Sequence, residues 1–159
     1  MIDQSVNLLV VSAHPADFVW RAGGTIAKYL KHGANVALVI LSYGVRGESN
    51  DLWNVEGQTA EKVKKIRQSE IEAAGKHLGV EQFEIWDYDD YYMEFTPERM
   101  DRMVRKIRQV KPRHIITHGP KDVFTTERWV QGHWCLAGGR DNVSATMRAV
   151  RIFQLAPGD

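Results

Sequence analysis

At 159 residues, with 43% hydrophobic and 26% charged side chains, the chain has the size and balance of one globular domain with a substantial core. A formal net charge of +1 excludes a nucleic-acid binder held mainly by phosphate contacts. The single cysteine, Cys135, excludes an internal disulfide and suits a reducing compartment. No apolar run is long enough to span a bilayer, and Met1-Ile2-Asp3-Gln4 lacks the charged start of a leader, so a cytoplasmic protein is expected.

In chain order, Val6 to Ser12 reads as a buried strand that stops at His14-Pro15-Ala16-Asp17. Polar groups leaving a buried strand together sit at its carboxyl end, where open α/β sheets bind ligands. His14 and Asp17 place an imidazole and a carboxylate three residues apart, a pair suited to zinc or another borderline divalent metal. The same pair also serves elsewhere as a turn and a helix cap. Ile26, Ala27 and Leu30 then recur at helical spacing, and Gly33 is placed to end that helix. Val36 to Leu41 is a second strand, nearly all apolar.

Ser42 to Gln58 is a long loop carrying Arg46, Glu48, Asp51, Trp53 and Glu56, and loops of that length inside a compact domain are usually functional or disordered. A helix is predicted from about Thr59 to Leu78, with Val63, Ile66, Ala74 and Leu78 inward and its Lys, Arg and Glu solvated. Phe83 to Trp86 predicts a third strand. Asp87-Tyr88-Asp89-Asp90-Tyr91-Tyr92 follows; without the ligand ladder of a calcium loop it is expected to wall a pocket or cap the next helix. Thr96-Pro97-Glu98 starts a helix with apolar stripe Met100, Met103, Val104, Ile107 and Val110; the basic stretch Arg99 to Arg113 is its solvated face. Arg113 to His118 is the fourth strand, which puts His118 on the same sheet edge as His14, while His114, at its start, reads as structural. His32 and His77 sit near helix ends, where surface or dipole roles suffice. Strands alternating with helices, with apolar strands, imply an α/β fold: a mostly parallel sheet covered on both faces.

His14-Pro15-Ala16-Asp17 with Gly23-Gly24-Thr25 resembles the signature of the PIG-L/LmbE-like family of metal-dependent deacetylases. The resemblance implies a single Rossmann-like three-layer sandwich domain over 1–159. In the usual motif, Ala-His-Pro-Asp-Asp, the His and second Asp bind zinc and the first Asp is the general base. Carried over, His14 and Asp17 are the metal ligands, and Ala16 stands where the base would be. Ser12 to Gly24 and Leu41 to Ser49 resemble the hydratase branch of that family, which acts in aromatic-acid breakdown. That branch implies water addition to an unsaturated oxo-carboxylate such as 4-oxalomesaconate.

The resemblance runs from about Val6 to Asp122. Beyond it, the family's third ligand comes from an Asp-His pair, whereas Asp122 to Arg128 holds no His and Arg128 occupies the ligand position. His133 is favoured as third ligand, with Glu127 or a lost site as the alternatives. Trp129 to Arg148 shows no clean helical period, Arg151 to Pro157 looks like a strand, and the carboxyl end is expected to be shortened. On the hydratase reading Glu48 is the general acid/base, His118 orients substrate or carries a second proton, and Arg46 and Lys121 bind substrate carboxylates. A small-molecule carboxylate is the expected partner, with no nucleic acid and no membrane, and a homo-oligomer is left open. A zinc-dependent N-acetyl deacetylase and a binding domain with a damaged metal site are the competing readings.

Overall fold

A computed structural model describes residues 7–46, 48–89 and 96–118. Its elements are β1 (Asn7–Ser12), α1 (Pro15–Trp20), α2 (Gly23–Lys31), β2 (Asn35–Ile40), a 3₁₀ turn (Asn50–Asn54), α3 (Ala60–Leu78), β3 (Gln82–Ile85), α4 (Pro97–Val110) and β4 (His114–Ile116). Among the described residues, the four strands and the long helices expected there are present within a residue or two, except that the fourth strand is only three residues long. Helix α1 was not expected from sequence, where the helical pattern begins only at α2. Pro15 has no N–H to lose at the first helical position, and the Asp17 carboxylate accepts the His14 backbone N–H at 3.0 Å, so the motif itself starts a helix.

The strands lie in the order β3-β2-β1-β4, and every pairing is parallel. Because side chains alternate along a strand, β1 and β2 feed two separate cores. Leu9, Val11, Ala37 and Val39 pack with Met103, Val104 and Ile107 of α4 on one face. Leu8, Val10, Leu38 and Ile40 pack with Phe18, Ile26 and Ile71 from α1, α2 and α3 on the other. The result is the three-layer α/β sandwich expected from the apolar strands. On α3 the predicted face is rotated: Ile71 is 2% exposed and Ile66 is 37% exposed. Val63, Ile71, Ala74 and Leu78 form one continuous stripe, and Ile66 falls at its margin.

From β1 the chain steps outward through β2 to β3, then returns across the opposite face by α4 to β4 on the other side of β1. The strand order therefore reverses between β1 and β4. That reversal opens a crevice at the carboxyl ends of these two strands, the place where such sheets take their ligands.

Candidate active site

The crevice is built by three loops. His14 leaves β1 and is 2% exposed; Asp17 follows it in the first turn of α1; Glu48 belongs to the loop after β2; His118 follows β4. The β2 loop is pinned to the end of β1. Ser42 donates its backbone N–H and its hydroxyl to the Ala13 carbonyl, at 3.0 and 3.1 Å, and Ser49 Oγ donates to the Gly44 carbonyl at 2.7 Å. Gly44 makes the fold-back feasible. Its φ is +65°, and a Cβ there would lie 3.2 Å from Glu48 Cβ, Glu48 Oε2 and Pro15 Cδ.

The Glu48 carboxylate consequently lies over the start of α1. Its Oε2 accepts the Ala16 backbone N–H and an Arg67 Nη2 proton, each at 3.3 Å. Its Oε1 lies 3.9 Å from His14 Nδ1. Asp17 Oδ2 lies 3.7 Å from the same nitrogen and 3.1 Å from His118 Nε2, and Asp17 Oδ1 receives Arg21 Nε at 3.1 Å. His118 Nε2 also lies 3.3 Å from the Ala13 backbone N–H. One ring nitrogen cannot both donate and accept, and the shorter contact to a carboxylate favours a proton on Nε2 directed at Asp17.

These surroundings pull the two carboxyls apart. Burial pushes Asp17 up, but the hydrogen bonds from His118 and His14 outweigh it and hold the group well below the usual carboxylate range. Burial also pushes Glu48 up, and although His14 opposes this, the nearby Asp17 charge reinforces it and the net shift is upward. The two neighbouring carboxyls are thus shifted in opposite directions, the pattern that marks candidate acid–base groups.

The donor atoms of His14, Asp17 and Glu48 all lie within 4.8 Å of one another. One imidazole and two carboxylates form a nitrogen–oxygen donor set suited to zinc, whose tetrahedral ligands are about 3.3 Å apart. The residues fit a divalent metal after small side-chain movements.

Of the other sequence candidates, Arg46 is exposed and lines a separate cleft with Tyr43, Lys64, Asp87 and Tyr88. The start of the acidic loop thus walls a cleft, and Thr96, whose Oγ1 accepts the Arg99 N–H at 3.4 Å, caps the next helix. His114 stacks edge-on against Tyr29, away from the site, as its structural reading implied. Lys121, Glu127, Arg128 and His133 lie outside the described residues, as do Trp129 to Arg148, which lacks a helical period, and the strand expected at Arg151 to Pro157. Arg67, which the sequence pattern places among the solvated charges of α3, is instead mostly buried. The available signal was its position four residues after Val63 and four before Ile71, in the middle of the apolar stripe of α3.

Residues 9–133 match the model of the PIG-L family, GlcNAc-PI de-N-acetylase. The chain belongs to the PIG-L family. It is 41% identical over 127 residues to 4-oxalmesaconate hydratase of Pseudomonas putida strain KT2440, covering 80% of this chain and 49% of that protein. It is also 28% identical over 116 residues to a probable N-acetyl-alpha-D-glucosaminyl L-malate deacetylase 2 of Bacillus anthracis, covering 72% of this chain and 50% of that one. Among solved structures, GalB, the 4-carboxy-2-hydroxymuconate hydratase of Pseudomonas putida KT2440, superposes with a TM-score of 0.82 at 36% identity. The match covers 96% of this chain and 58% of GalB. The N,N'-diacetylchitobiose deacetylase of Pyrococcus horikoshii shares the fold, with a TM-score of 0.77 at 22% identity over 94% of this chain and 51% of that one. The chain spans about half the length of the curated relatives it matches. Among the described residues, no helix is long and apolar enough to cross a membrane.

Proposed function

We propose that this PIG-L chain carries the catalytic crevice of a metal-dependent hydratase that adds water to an unsaturated oxo-carboxylate such as 4-oxalomesaconate. The observation that carries this reading is the seat of Glu48. Ala16 has no side chain able to take a proton, while its backbone N–H donates to the carboxylate of Glu48 at 3.3 Å and holds it at the start of α1. A proton carrier is thereby supplied from the β2 loop rather than from the first turn of α1. The 41% identity to a protein named as a hydratase supports the same reading.

In this mechanism His14 and Asp17 would hold the metal, with His133, which lies outside the described residues, as the third ligand. Zinc bound there would act as a Lewis acid, polarising the substrate's oxo group so that charge developing on it during water addition is stabilised. Glu48 Oε1 moves the proton that passes between water and the substrate carbon, aided by a carboxyl group shifted up toward working pH. His118, held against Asp17, orients substrate or carries the second proton. Arg46 and Lys121 are the candidates for anchoring a substrate carboxylate, Arg46 from the separate cleft that it lines with Lys64 and Tyr43. The single cysteine in 159 residues supports a cytoplasmic setting.

The test is incubation of the zinc-supplied protein with 4-oxalomesaconate, following loss of the double bond by NMR, beside an N-acetyl-glucosaminide assayed for acetate release. Hydration is expected, and Glu48→Gln is expected to lower its kcat by about 10²–10⁴-fold. Acetate release without hydration would replace this reading with a deacetylase. Inactivity together with no bound metal would leave a binding domain.

A further inference from the structure

Arg67 is a charged residue in an apolar position. It lies on the buried stripe of α3, its side chain is only 14% exposed, and it points at the one carboxylate to which the proposed chemistry assigns proton transfer. Its Nη2 reaches Glu48 Oε2 at 3.3 Å, and its Nη1 reaches Glu70 Oε2, one helical turn on, at 2.7 Å. Glu70 is half-exposed, so it braces the guanidinium from the solvent side without burying a second charge.

A guanidinium placed in a core stripe needs a reason, because taking a charge from water is costly unless a partner offsets it. Surface ion pairing does not require that position: Arg105 pairs with Asp101 from the exposed side of α4. Glu48 supplies the reason. Its carboxylate has two oxygens with different duties. Oε2 is occupied by Arg67 and the Ala16 amide, while Oε1 faces His14. Ala16 lies in the first turn of α1, where backbone N–H groups lack intrahelical acceptors, so that amide is an anchor on one side only. A single anchor would let the carboxylate rotate about its terminal bond. The second, from α3, fixes which oxygen is turned toward the site.

We propose that Arg67 is a positioning residue that locks the Glu48 carboxylate, with Oε2 held by the Ala16 amide and the guanidinium and Oε1 presented to the crevice. The kinetic part of this inference rests on the hydratase reading; the positioning itself does not. The fixed fork of Arg makes the contact directional, which the point charge of Lys reproduces only in part.

The experiment has two arms on the same proteins: wild type, Arg67→Met, Arg67→Lys and Glu48→Ala. Arg67→Met keeps an unbranched stem in the stripe, and thermal melts confirm that each variant folds. In the first arm, backbone amide exchange of Ala16 is followed by NMR with no substrate or metal. Arg67→Met is expected to accelerate it several-fold and to move its resonance in the direction seen with Glu48→Ala, with Arg67→Lys in between. An Ala16 amide that is indifferent to Arg67→Met, yet responds to Glu48→Ala, overturns the proposal. The second arm is hydration kinetics. Arg67→Met is expected to lower kcat about 10–100-fold with KM nearly unchanged, with partial recovery in Arg67→Lys. A raised KM at unchanged kcat would instead make Arg67 a substrate-binding group and overturn the proposal. If wild type hydrates nothing, the hydratase reading fails, and the amide arm still decides whether Arg67 positions Glu48.

Discussion

At the residue scale, the crevice depends on one backbone conformation that only glycine adopts easily. Gly44 and Gly57 both have positive φ, +65° and +70°, but nothing lies within 4 Å of a Cβ built at Gly57, whereas one at Gly44 meets Glu48 and Pro15 at 3.2 Å. The left-handed backbone alone costs a non-glycine residue about 1–2 kcal/mol. Gly57→Ala should therefore lose about that much in urea unfolding and leave the site intact. Gly44→Ala should lose at least as much and also displace the Glu48 carboxylate, reducing hydration well beyond the Gly57 control. Equal effects of the two variants on activity would show that the seat of Glu48 does not depend on Gly44. His14, Asp17, Glu48 and His118 were legible as candidates because each is a chemical group at the carboxyl end of a strand or in the loop after one. Arg67 was not, because a helix rich in Lys, Arg and Glu disguises a single inward charge among outward ones. Only the phase of the stripe separates them.

That phase belongs to the scale of elements. The four strands were readable from apolar runs, and α4 from its cap and stripe, since both patterns repeat several times within one element. Helix α1 was not, because six residues give too few turns for a period to emerge, and its start is set by Pro15 and Asp17 instead. On α3, Ile71 is in the core and Ile66 is at its edge. Ile71→Ala should cost about 2–4 kcal/mol in urea unfolding, and Ile66→Ala distinctly less. The reverse order would restore the face first expected from sequence. Between elements, Lys106 of α4 donates to Glu84 Oε1 of β3 at 2.7 Å and Trp86 Nε1 donates to Glu84 Oε2 at 2.9 Å. Partial burial pushes the Glu84 carboxyl up, but these two hydrogen bonds outweigh it and the net shift is downward. A carboxyl lowered by folding stabilises the native state above its unfolded value and loses that contribution as pH falls through the folded one. Glu84→Gln should therefore cost about 0.5–1 kcal/mol at pH 7, a partly exposed pair being screened, and the gap to wild type should close below the ordinary glutamate range. A gap that persists at low pH would mean that packing, not charge, joins α4 to β3.

At the scale of the whole molecule, the order β3-β2-β1-β4 explains why residues far apart in sequence meet. His14 and Asp17 follow β1, Glu48 follows β2 and His118 follows β4, and parallel pairing brings all three strand ends to one edge. A cation held by His14 and Asp17, close to Glu48, would tie the end of β1 to the first turn of α1, where the β2 loop is already joined through Ala13 and Ala16. Metal binding to the native state alone must then appear as added stability. At a free zinc concentration 100 times the dissociation constant the gain is about 2.7 kcal/mol, which for a domain of this size is a rise in Tm of about 5–10 °C. Chelator-stripped protein should show that rise on adding zinc, and His14→Ala and Asp17→Asn should each abolish it. Glu48→Gln should retain most of the rise if Glu48 is the proton carrier, because the proposed ligands His14, Asp17 and His133 all remain. Loss of the rise in Glu48→Gln as well would make Glu48 a metal ligand and require a different group to move the proton.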